Sequence, residues 1–204
     1  VRYLVDLKIG YSQGIFLDQR DNRFEVRARS SGIRVLNCFS YTCAFSVVAA
    51  LGGAASTTSI DLSNSYLEWG KSNFELNGID PNQDEHYFCR GDVFEWLRQF
   101  RKKQRMFGGI ILDPPSFSRA GKQGVFSAEK DYSSLVTEAA PLIERGGWVL
   151  ASCNHRGISS EKFGNELIIG MDNARRNIKT INQKPMTSDF PGDDYLKSFW
   201  IEIE

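Results

Sequence analysis

The feature of this sequence that most constrains its fold is the repeated alternation of short β-prone runs with amphipathic helices. Strands are predicted at residues 35–38, 57–61, 86–90, 110–112, 148–152, 178–182 and 196–203. Between the strands, apolar residues recur at helical spacing, as they do in residues 93–100. Strands that alternate with helices through short turns are typical of a mostly parallel sheet with helices on both faces. The sequence therefore predicts an α/β fold built on such a sheet.

Capping and glycine residues mark the ends of the predicted helices. Thr42 and Ser63 are placed to cap two helices at their N-termini. The cleanest apolar stripe runs over residues 132–143, and its helix is expected to end at Gly146 and Gly147.

The N-terminal part of the chain is predicted to differ from the repeating pattern. Residues 3–7 and 14–17 are β-prone runs separated by turn residues, which predicts a small β-hairpin, and residues 18–29 are expected to be helical. We therefore divide the chain into a hairpin and helix at residues 1–31 and a main domain at residues 32–204.

Composition narrows the class of protein. The four cysteines form no C-x-x-C pair, which argues against a zinc site and a disulfide framework. No apolar run is long enough for a membrane span, so we expect a cytoplasmic protein without a membrane partner. Lys plus Arg and Asp plus Glu both number 25, so net charge does not indicate a nucleic-acid partner. Because the chain begins at Val1 with β-prone sequence, it is a candidate fragment of a longer protein.

In open parallel sheets, ligands bind at the carboxyl ends of the strands, so the residues that follow each strand are site candidates. Small residues in the turn 37–45 would let backbone N–H groups approach a ligand, although the turn lacks the G-x-G-x-x-G pattern of dinucleotide enzymes. Asp61 follows the second strand, where a carboxylate can accept hydrogen bonds from ribose hydroxyls, and Asp92 can accept one from an adenine amine. The structural alternatives are an ordinary turn and two helix caps.

The turn Asp113-Pro114-Pro115-Ser116-Phe117 follows a buried strand and is the strongest single indication of an active site. Its two prolines remove two N–H donors and stiffen the turn, so that the Asp113 carboxylate is held toward a cleft. Phe117 is placed to stack on a base. The alternative interpretation is a rigid surface turn.

The loop after the fifth strand contains Cys153, Asn154, His155 and Arg156. A Cys153 thiolate would be a nucleophile, and a neighbouring cation would lower the pKa of its thiol. The alternative is an inert cysteine of the core, since cysteine is a common small core residue.

Several stretches of the sequence together resemble motifs of the bacterial ribosomal large-subunit RNA methyltransferases. They are residues 14–20, 36–42, 66–69, 113–115 and 194–197. The resemblance covers nearly the whole chain and implies a Rossmann-like class I methyltransferase fold with a seven-stranded sheet. It also implies S-adenosyl-L-methionine as cofactor and RNA, specifically ribosomal large-subunit RNA, as substrate. Members of the family usually have an additional RNA-binding domain.

The resemblance further implies the residues of the site. The loop 39–44 would hold the cofactor with Asp61 at the ribose and Asp92 at the adenine, while Asp18 and Arg20 would lie near the methionine end. The implied cofactor-binding set is Asp18, Arg20, Phe39, Ser40, Tyr41, Thr42, Cys43, Ala44, Asp61, Leu62, Ser63, Asp92, Val93 and Asp113. The implied substrate-binding residues are Pro114, Pro115, Phe117, Asn154 and Arg156, and the implied catalytic residues are Asp113 and Cys153.

One departure from the family pattern lies in the cofactor loop. Cys43 and Ala44 stand where the family usually has small residues that include glycine, which implies a tighter approach of the backbone to the cofactor.

Two branches of the family differ at the loop that contains Cys153. Methylation of cytosine C5 requires a thiolate that adds to C6 while an acid hydrogen-bonds N3, and Cys153 and Asp113 are the candidates for these roles. Methylation of guanine N7 needs no thiolate, because the ring nitrogen has its own lone pair. Ser152-Cys153 resembles the cytosine branch, whereas residues 154–157 and the strand at residues 57–61 resemble the guanine branch. The first hypothesis is therefore cytosine C5, with guanine N7 as the alternative.

Two hypotheses come from other classes of protein. A nucleotide-dependent oxidoreductase would share the fold and Asp61, but the glycine fingerprint is missing. A non-catalytic RNA-binding module that retains the fold is expected if Cys43 blocks the cofactor.

Overall fold

The computed structural model describes residues 1–8, 13–120, 124–190 and 195–204, with the backbone alone for residues 117–120, 124–126 and 129. The strands are β1 (Arg34–Cys38), β2 (Ser56–Asp61), β3 (His86–Arg90), β4 (Phe107–Leu112), β5 (Phe117–Ala120), β6 (Gly124–Ser127), β7 (Ile143–Cys153), β8 (Ile178–Lys184) and β9 (Lys197–Ile203). The α-helices are α1 (Arg20–Arg29), α2 (Ala44–Leu51), α3 (Asn64–Leu76), α4 (Val93–Lys102), α5 (Ala128–Ala139) and α6 (Ser160–Asn173).

Seven strands form one sheet in the order β3-β2-β1-β4-β7-β9-β8. The first five strands of this order are parallel, and β9 runs antiparallel between β7 and β8. The chain leaves β1 toward β2 and β3 and then returns to place β4 on the other side of β1. This reversal creates a crevice at the carboxyl ends of β1 and β4, where open α/β sheets bind ligands. The predicted α/β fold with a mostly parallel seven-stranded sheet is confirmed.

Both faces of the sheet are covered by helices. Alternation along the strands directs neighbouring residues to opposite faces, as Val35 and Leu36 in β1 illustrate. Leu36 belongs to the larger core cluster, to which α4, α5 and α6 contribute, whereas Val35 packs with residues of α1 and α2. The central strand β4 is buried along its whole length. Among the described residues, no helix is both long and apolar enough to cross a membrane.

The N-terminal segment differs from the predicted hairpin. Residues 3–7 and 14–17 contain no strand, and residues 9–12 lie outside the described residues. Among the described residues, a backbone hydrogen bond runs from Asp6 N–H to the carbonyl of Gln13, which precedes the second run. In place of the hydrogen bonds of a β-hairpin, side chains of the main domain bond to the backbone of the two runs. Asn73 Oδ1 accepts from Leu4 N–H at 2.8 Å, and Thr42 Oγ1 donates to the Gly14 carbonyl at 2.6 Å.

Two predicted helix ends are also wrong, each for a local reason. Thr42 does not cap α2, because the helix begins one residue later with Cys43 at the N-cap position, and the Thr42 hydroxyl donates to the Gly14 carbonyl instead. The helix α5 ends at Ala139 and continues only as a 3₁₀ turn at Ala140–Leu142, in which Pro141 has no N–H to extend an α-helix. Strand β7 therefore begins at Ile143 rather than at 148. The antiparallel pair β5–β6 was not predicted.

Candidate active site

A cavity of about 320 Å³ opens at the carboxyl ends of β1, β2, β3, β4 and β7. Its wall contains thirteen of the residues that the sequence predicted for the site: Asp18, Phe39, Ser40, Tyr41, Ala44, Asp61, Leu62, Asp92, Val93, Asp113, Pro114, Pro115 and Asn154. Residues that are far apart in the sequence thus meet at one place.

Six predicted residues lie outside the wall of this cavity: Arg20, Thr42, Cys43, Ser63, Cys153 and Arg156. Arg20 is exposed and forms ion pairs with Asp21 and Asp189. Cys43 is buried in a hydrophobic cluster with Val47. The side chain of Phe117 lies outside the described part of the chain, so its predicted stacking role stays a prediction.

The cavity wall also contains residues that the sequence did not single out, namely Ile15, Phe16, Gln19, Arg23, Phe45, Tyr66, Phe94, Ser116 and Leu196. Five of these nine residues lie in the sequence motifs: Ile15, Phe16 and Gln19 in the motif at 14–20, and Tyr66 and Leu196 in the motifs at 66–69 and 194–197. Arg23 lies in no such motif, and the composition of the charged helix α1 does not indicate which of its side chains are buried.

The turn from β1 into α2 has an unusual backbone. Phe39, Tyr41 and Cys43 have φ angles of 59°, 49° and 60°, a left-handed region that costs non-glycine residues about 1–2 kcal/mol each. Hydrogen bonds hold this conformation, including Cys43 N–H to the Ser40 carbonyl at 2.7 Å and Asn73 Nδ2 to the Thr42 carbonyl at 2.9 Å. Strained backbone conformations persist only where the surrounding structure stabilises them, and they are common in ligand-binding loops.

The carboxylate of Asp61 joins the first two loops of the cavity. Its Oδ2 accepts the N–H of Tyr41 and its Oδ1 accepts the N–H of Ser63, each at 2.9 Å. Burial raises the pKa of Asp61, and these backbone hydrogen bonds oppose the increase. Each carboxylate oxygen has a second lone pair, so Asp61 can hold the loops and still accept hydroxyl donors from a ligand.

The third loop contributes Asp92, which is the N-cap of α4. Its Oδ1 accepts the N–H of Glu95 at 3.1 Å, and Ser63 caps α3 in the same way through Tyr66 N–H at 3.3 Å. The capping interpretation of Asp92 is therefore confirmed, and its position in the cavity wall is compatible with a ligand contact as well.

Among the described residues, Asp113 is the carboxyl group with the largest change in pKa. Burial and the nearby Asp18 raise its pKa to about 7, while a hydrogen bond from Gln19 and the charge of Arg23 oppose this. Gln19 Nε2 donates to Asp113 Oδ2 at 3.1 Å. Near neutral pH, Asp113 can therefore either accept or donate a hydrogen bond in the cavity.

Asp18 has an oxygen without a protein partner. Its Oδ2 accepts the hydroxyl of Tyr195 at 2.9 Å, whereas its Oδ1 is buried without a hydrogen-bond partner among the described residues. A buried carboxylate oxygen normally has a donor, so this position suits a cationic group of a ligand.

Cys153 is not part of the cavity wall. The residue is 1% exposed and belongs to the larger core cluster. Burial raises the pKa of its thiol, and the backbone N–H of His155 and the charge of Lys197 oppose this increase only partly. The next residue, Asn154, does line the cavity, where its Oδ1 accepts from Ser116 Oγ at 2.8 Å.

These features fit an adenosine-containing cofactor with a charged end. The cavity volume is at the lower end of the range for small-molecule sites, which is about 300–1,000 Å³. Carboxylates stand at the ends of β2 and β3, where a nucleoside would need acceptors, and the unpartnered Asp18 oxygen is available to an ammonium group. The residues present therefore fit S-adenosylmethionine.

Comparisons with known proteins agree with this geometry. The family model described as S-adenosylmethionine-dependent methyltransferase matches residues 1–196. The ribosomal RNA large subunit methyltransferase K of Neisseria meningitidis is 38% identical over 93% of this chain and 51% of its own length. The ribosomal RNA large subunit methyltransferase I of Aeromonas salmonicida is 36% identical over 99% of this chain and 50% of its own length. The chain thus spans about half the length of these relatives.

A solved structure extends the likeness to three dimensions. The crystal structure of SMU.776 complexed with SAH superimposes with a TM-score of 0.88 at 36% identity, and the match covers 98% of this chain and 53% of the other. The chain belongs to the family of S-adenosylmethionine-dependent methyltransferases, and S-adenosylmethionine is its cofactor.

Proposed function

We propose that this chain is the catalytic domain of an RNA methyltransferase that acts on a base of ribosomal large-subunit RNA. The observation that carries the proposal is that the rigid Asp113-Pro114-Pro115 turn opens into the same cavity as Asp61 and Asp92. A base that enters beside Asp113 would meet a cofactor held by the other two carboxylates. The names of the relatives from Neisseria and Aeromonas support RNA as the substrate.

Three carboxylates of this chain are assigned to three different parts of the cofactor. Asp61 accepts the ribose hydroxyls, Asp92 accepts the adenine amine, and Asp18 Oδ1 pairs with the ammonium of the methionine end. The loop at residues 39–44 brings backbone groups close to the ligand. S-adenosylmethionine supplies an electrophilic methyl group, and the protein supplies orientation, which accounts for much of the catalysis in such reactions.

Within this function, we propose a ring nitrogen such as guanine N7 as the methyl acceptor. Because Cys153 is buried, its thiol is not an accessible nucleophile. Because the pKa of this thiol is raised, the thiol is not a thiolate at neutral pH. The cytosine C5 reaction requires an accessible thiolate. The guanine reaction needs only a correctly oriented base, for which Asn154 and Ser116 provide polar contacts in the cavity wall.

The RNA substrate is tested by mass spectrometry of nucleosides from ribosomal RNA. Cells that lack the protein are expected to lose one methylated base from the large-subunit RNA, and expression of the wild-type chain should restore it. Unchanged methylation of the large-subunit RNA in these cells would contradict the proposed substrate.

The base chemistry is tested with Cys153→Ala. We expect this variant to keep methyl transfer within about threefold of wild type, because the thiol lies outside the cavity wall. The wild-type protein should form no covalent adduct with RNA that contains 5-fluorocytosine. An adduct with the wild type, together with complete loss of transfer by Cys153→Ala, would establish the cytosine reaction instead.

A further inference from the structure

A buried polar network leads away from Asp113 into the space between α1 and β9. Its members are Gln19, Asn22, Ser198 and Trp200, which are 3%, 5%, 3% and 4% exposed. None of them takes part in the reaction proposed above. Buried polar side chains are costly unless they are hydrogen-bonded, so a connected set of them calls for a structural or functional reason.

The contacts form a continuous path. Trp200 Nε1 donates to Asn22 Oδ1 at 3.2 Å, and Asn22 Nδ2 donates to Gln19 Oε1 at 2.7 Å and to Ser198 Oγ at 2.9 Å. The path ends where Gln19 Nε2 donates to Asp113 Oδ2 at 3.1 Å. Each donor therefore has a matching acceptor along the path.

The direction of every bond in this path follows from its first member. An indole N–H can only donate, so the atom of Asn22 that faces Trp200 must be the carbonyl oxygen. The Asn22 amide nitrogen must then face Gln19, and the Gln19 nitrogen must face Asp113. The hydrogen-bond network itself thus assigns the orientation of both amides.

We propose that Gln19 is a positioning residue, which Asn22 and Trp200 orient so that it donates to Asp113 Oδ2 and leaves Oδ1 as the oxygen that gains and loses the proton. The significance of this role for catalysis rests on the proposed function, in which a base enters beside Asp113. The hydrogen bond itself does not depend on the identity of that base.

Other ionisable groups also face Asp113 from the elements around it. Asp18 raises the pKa of Asp113, and Arg23 of α1 lowers it. Tyr132 of α5 and Cys153 of β7 are neutral neighbours, and the charge of Asp113 contributes to raising the pKa of each of them. The Tyr132 hydroxyl contacts the carbonyls of Leu112 and Ser152 at 2.8 and 3.0 Å, so its hydrogen-bond partners are backbone carbonyls.

The role predicts a change in the ionisation of Asp113 when the amide of Gln19 is removed. Gln19→Met keeps the length of the side chain but cannot donate, so the charged form of Asp113 loses a hydrogen bond. The pKa of Asp113 should rise by about one unit. The measurement is a pH titration by NMR of the protein labelled with ¹³C at aspartate Cγ, in which Asp113→Asn identifies the signal by its loss.

A second variant tests the network rather than the contact. Trp200→Phe retains an aromatic ring against Arg29 and Trp148 but removes the indole N–H, so Asn22 and Gln19 are no longer held in one orientation. We expect a smaller increase in the pKa of Asp113. The matched control is Gln183→Met, because Gln183 is an exposed amide on β8 that donates to Ser160 Oγ at 3.0 Å and lies outside the cavity wall.

The outcomes are distinct. An unchanged titration of Asp113 in Gln19→Met would overturn the proposal. A shift in Gln19→Met without any shift in Trp200→Phe would overturn the part assigned to the network, and an equal shift in Gln183→Met would show that the effect is not local. No RNA is present in the titration, so failure of the proposed function and failure of this inference are separate results.

Discussion

At the scale of the residue, the ionisation of Asp113 is the property that distinguishes this site. Ordinary aspartates are charged at neutral pH, but burial and Asp18 raise the pKa of Asp113 to about 7. A carboxyl group at that value can exchange a proton with a base or hold it by a hydrogen bond. The same shift has a cost, because the folded protein must carry an unfavourable charge above neutral pH.

This cost predicts a pH-dependent effect of Asp113→Asn on stability. The folded pKa is higher than the unfolded value of 3.8, so the folded state retains the proton longer and stability falls as the pH rises from about 4 to about 7. The amide that replaces the carboxyl group in this variant carries no charge at any pH. The variant should therefore raise the melting temperature by about 2 °C or more at pH 8, and by less at pH 5.

The measurement is thermal unfolding followed by circular dichroism at both pH values. Asp84→Asn is the control, because Asp84 is exposed and its substitution should have no such effect. An equal effect of Asp113→Asn at the two pH values would be inconsistent with the raised pKa.

At the scale of the element, the turn between β1 and α2 depends on close packing with α3. An added Cβ at Gly70 of α3 would lie 2.4 Å from Cys43 Sγ and 2.9 Å from Cys43 Cβ. Cys43 is itself in the left-handed region, at φ 60°. Gly70 thus permits the strained turn to lie directly on α3, and the helix in turn stabilises the shape of the cavity wall.

We therefore predict that Gly70→Ala destabilises the fold by about 1–3 kcal/mol, because the contact with Cys43 forces a displacement. Cys43→Gly removes both clashing atoms and suits the positive φ, so the double variant should recover most of the loss. Denaturant unfolding of the two single variants and the double variant measures the coupling. Additive effects would indicate that the two residues do not contact each other.

The turn also indicates what sequence can and cannot predict. The strands and the residues that follow them were predictable, because apolar runs and capping residues have local signatures, as Asp61 and Ser63 illustrate. The left-handed conformations of Phe39, Tyr41 and Cys43 were not predictable, since no glycine marks them. The burial of Cys153 was not predictable either, because a cysteine at the end of a strand is compatible with a core position and with a nucleophile.

At the scale of the whole molecule, residues from the N-terminal and C-terminal parts of the described chain meet at the cavity. The hydroxyl of Tyr195 donates to Asp18 across a separation of 177 residues, and Leu196 lines the cavity beside Asp18. Contacts this distant in sequence have no local pattern, so the sequence predicts the motifs that contain Tyr195 and Gln19 but not the contacts that these two residues make. The residues that follow the strands form most of the cavity wall, and Asp18 and Leu196 complete it.

This arrangement predicts that Tyr195→Phe weakens cofactor binding without unfolding the protein. The variant removes the donor to Asp18 Oδ2, so the carboxylate that we assign to the ammonium of the cofactor loses its support. We expect the dissociation constant of S-adenosylmethionine to rise by about threefold to tenfold, as is usual for the loss of one hydrogen bond. Calorimetric titration measures it, and an unchanged dissociation constant would exclude Asp18 from the cofactor site.

The cavity beside Asp113 is the place that we assign to methyl transfer to RNA. The most direct test is the rate at which saturating S-adenosylmethionine with a labelled methyl group modifies ribosomal RNA from cells that lack the protein. The wild-type chain should transfer the label to the large-subunit RNA, and Asp113→Ala should be slower by about 100-fold or more. Transfer by Asp113→Ala at the wild-type rate would contradict the assignment of the active site.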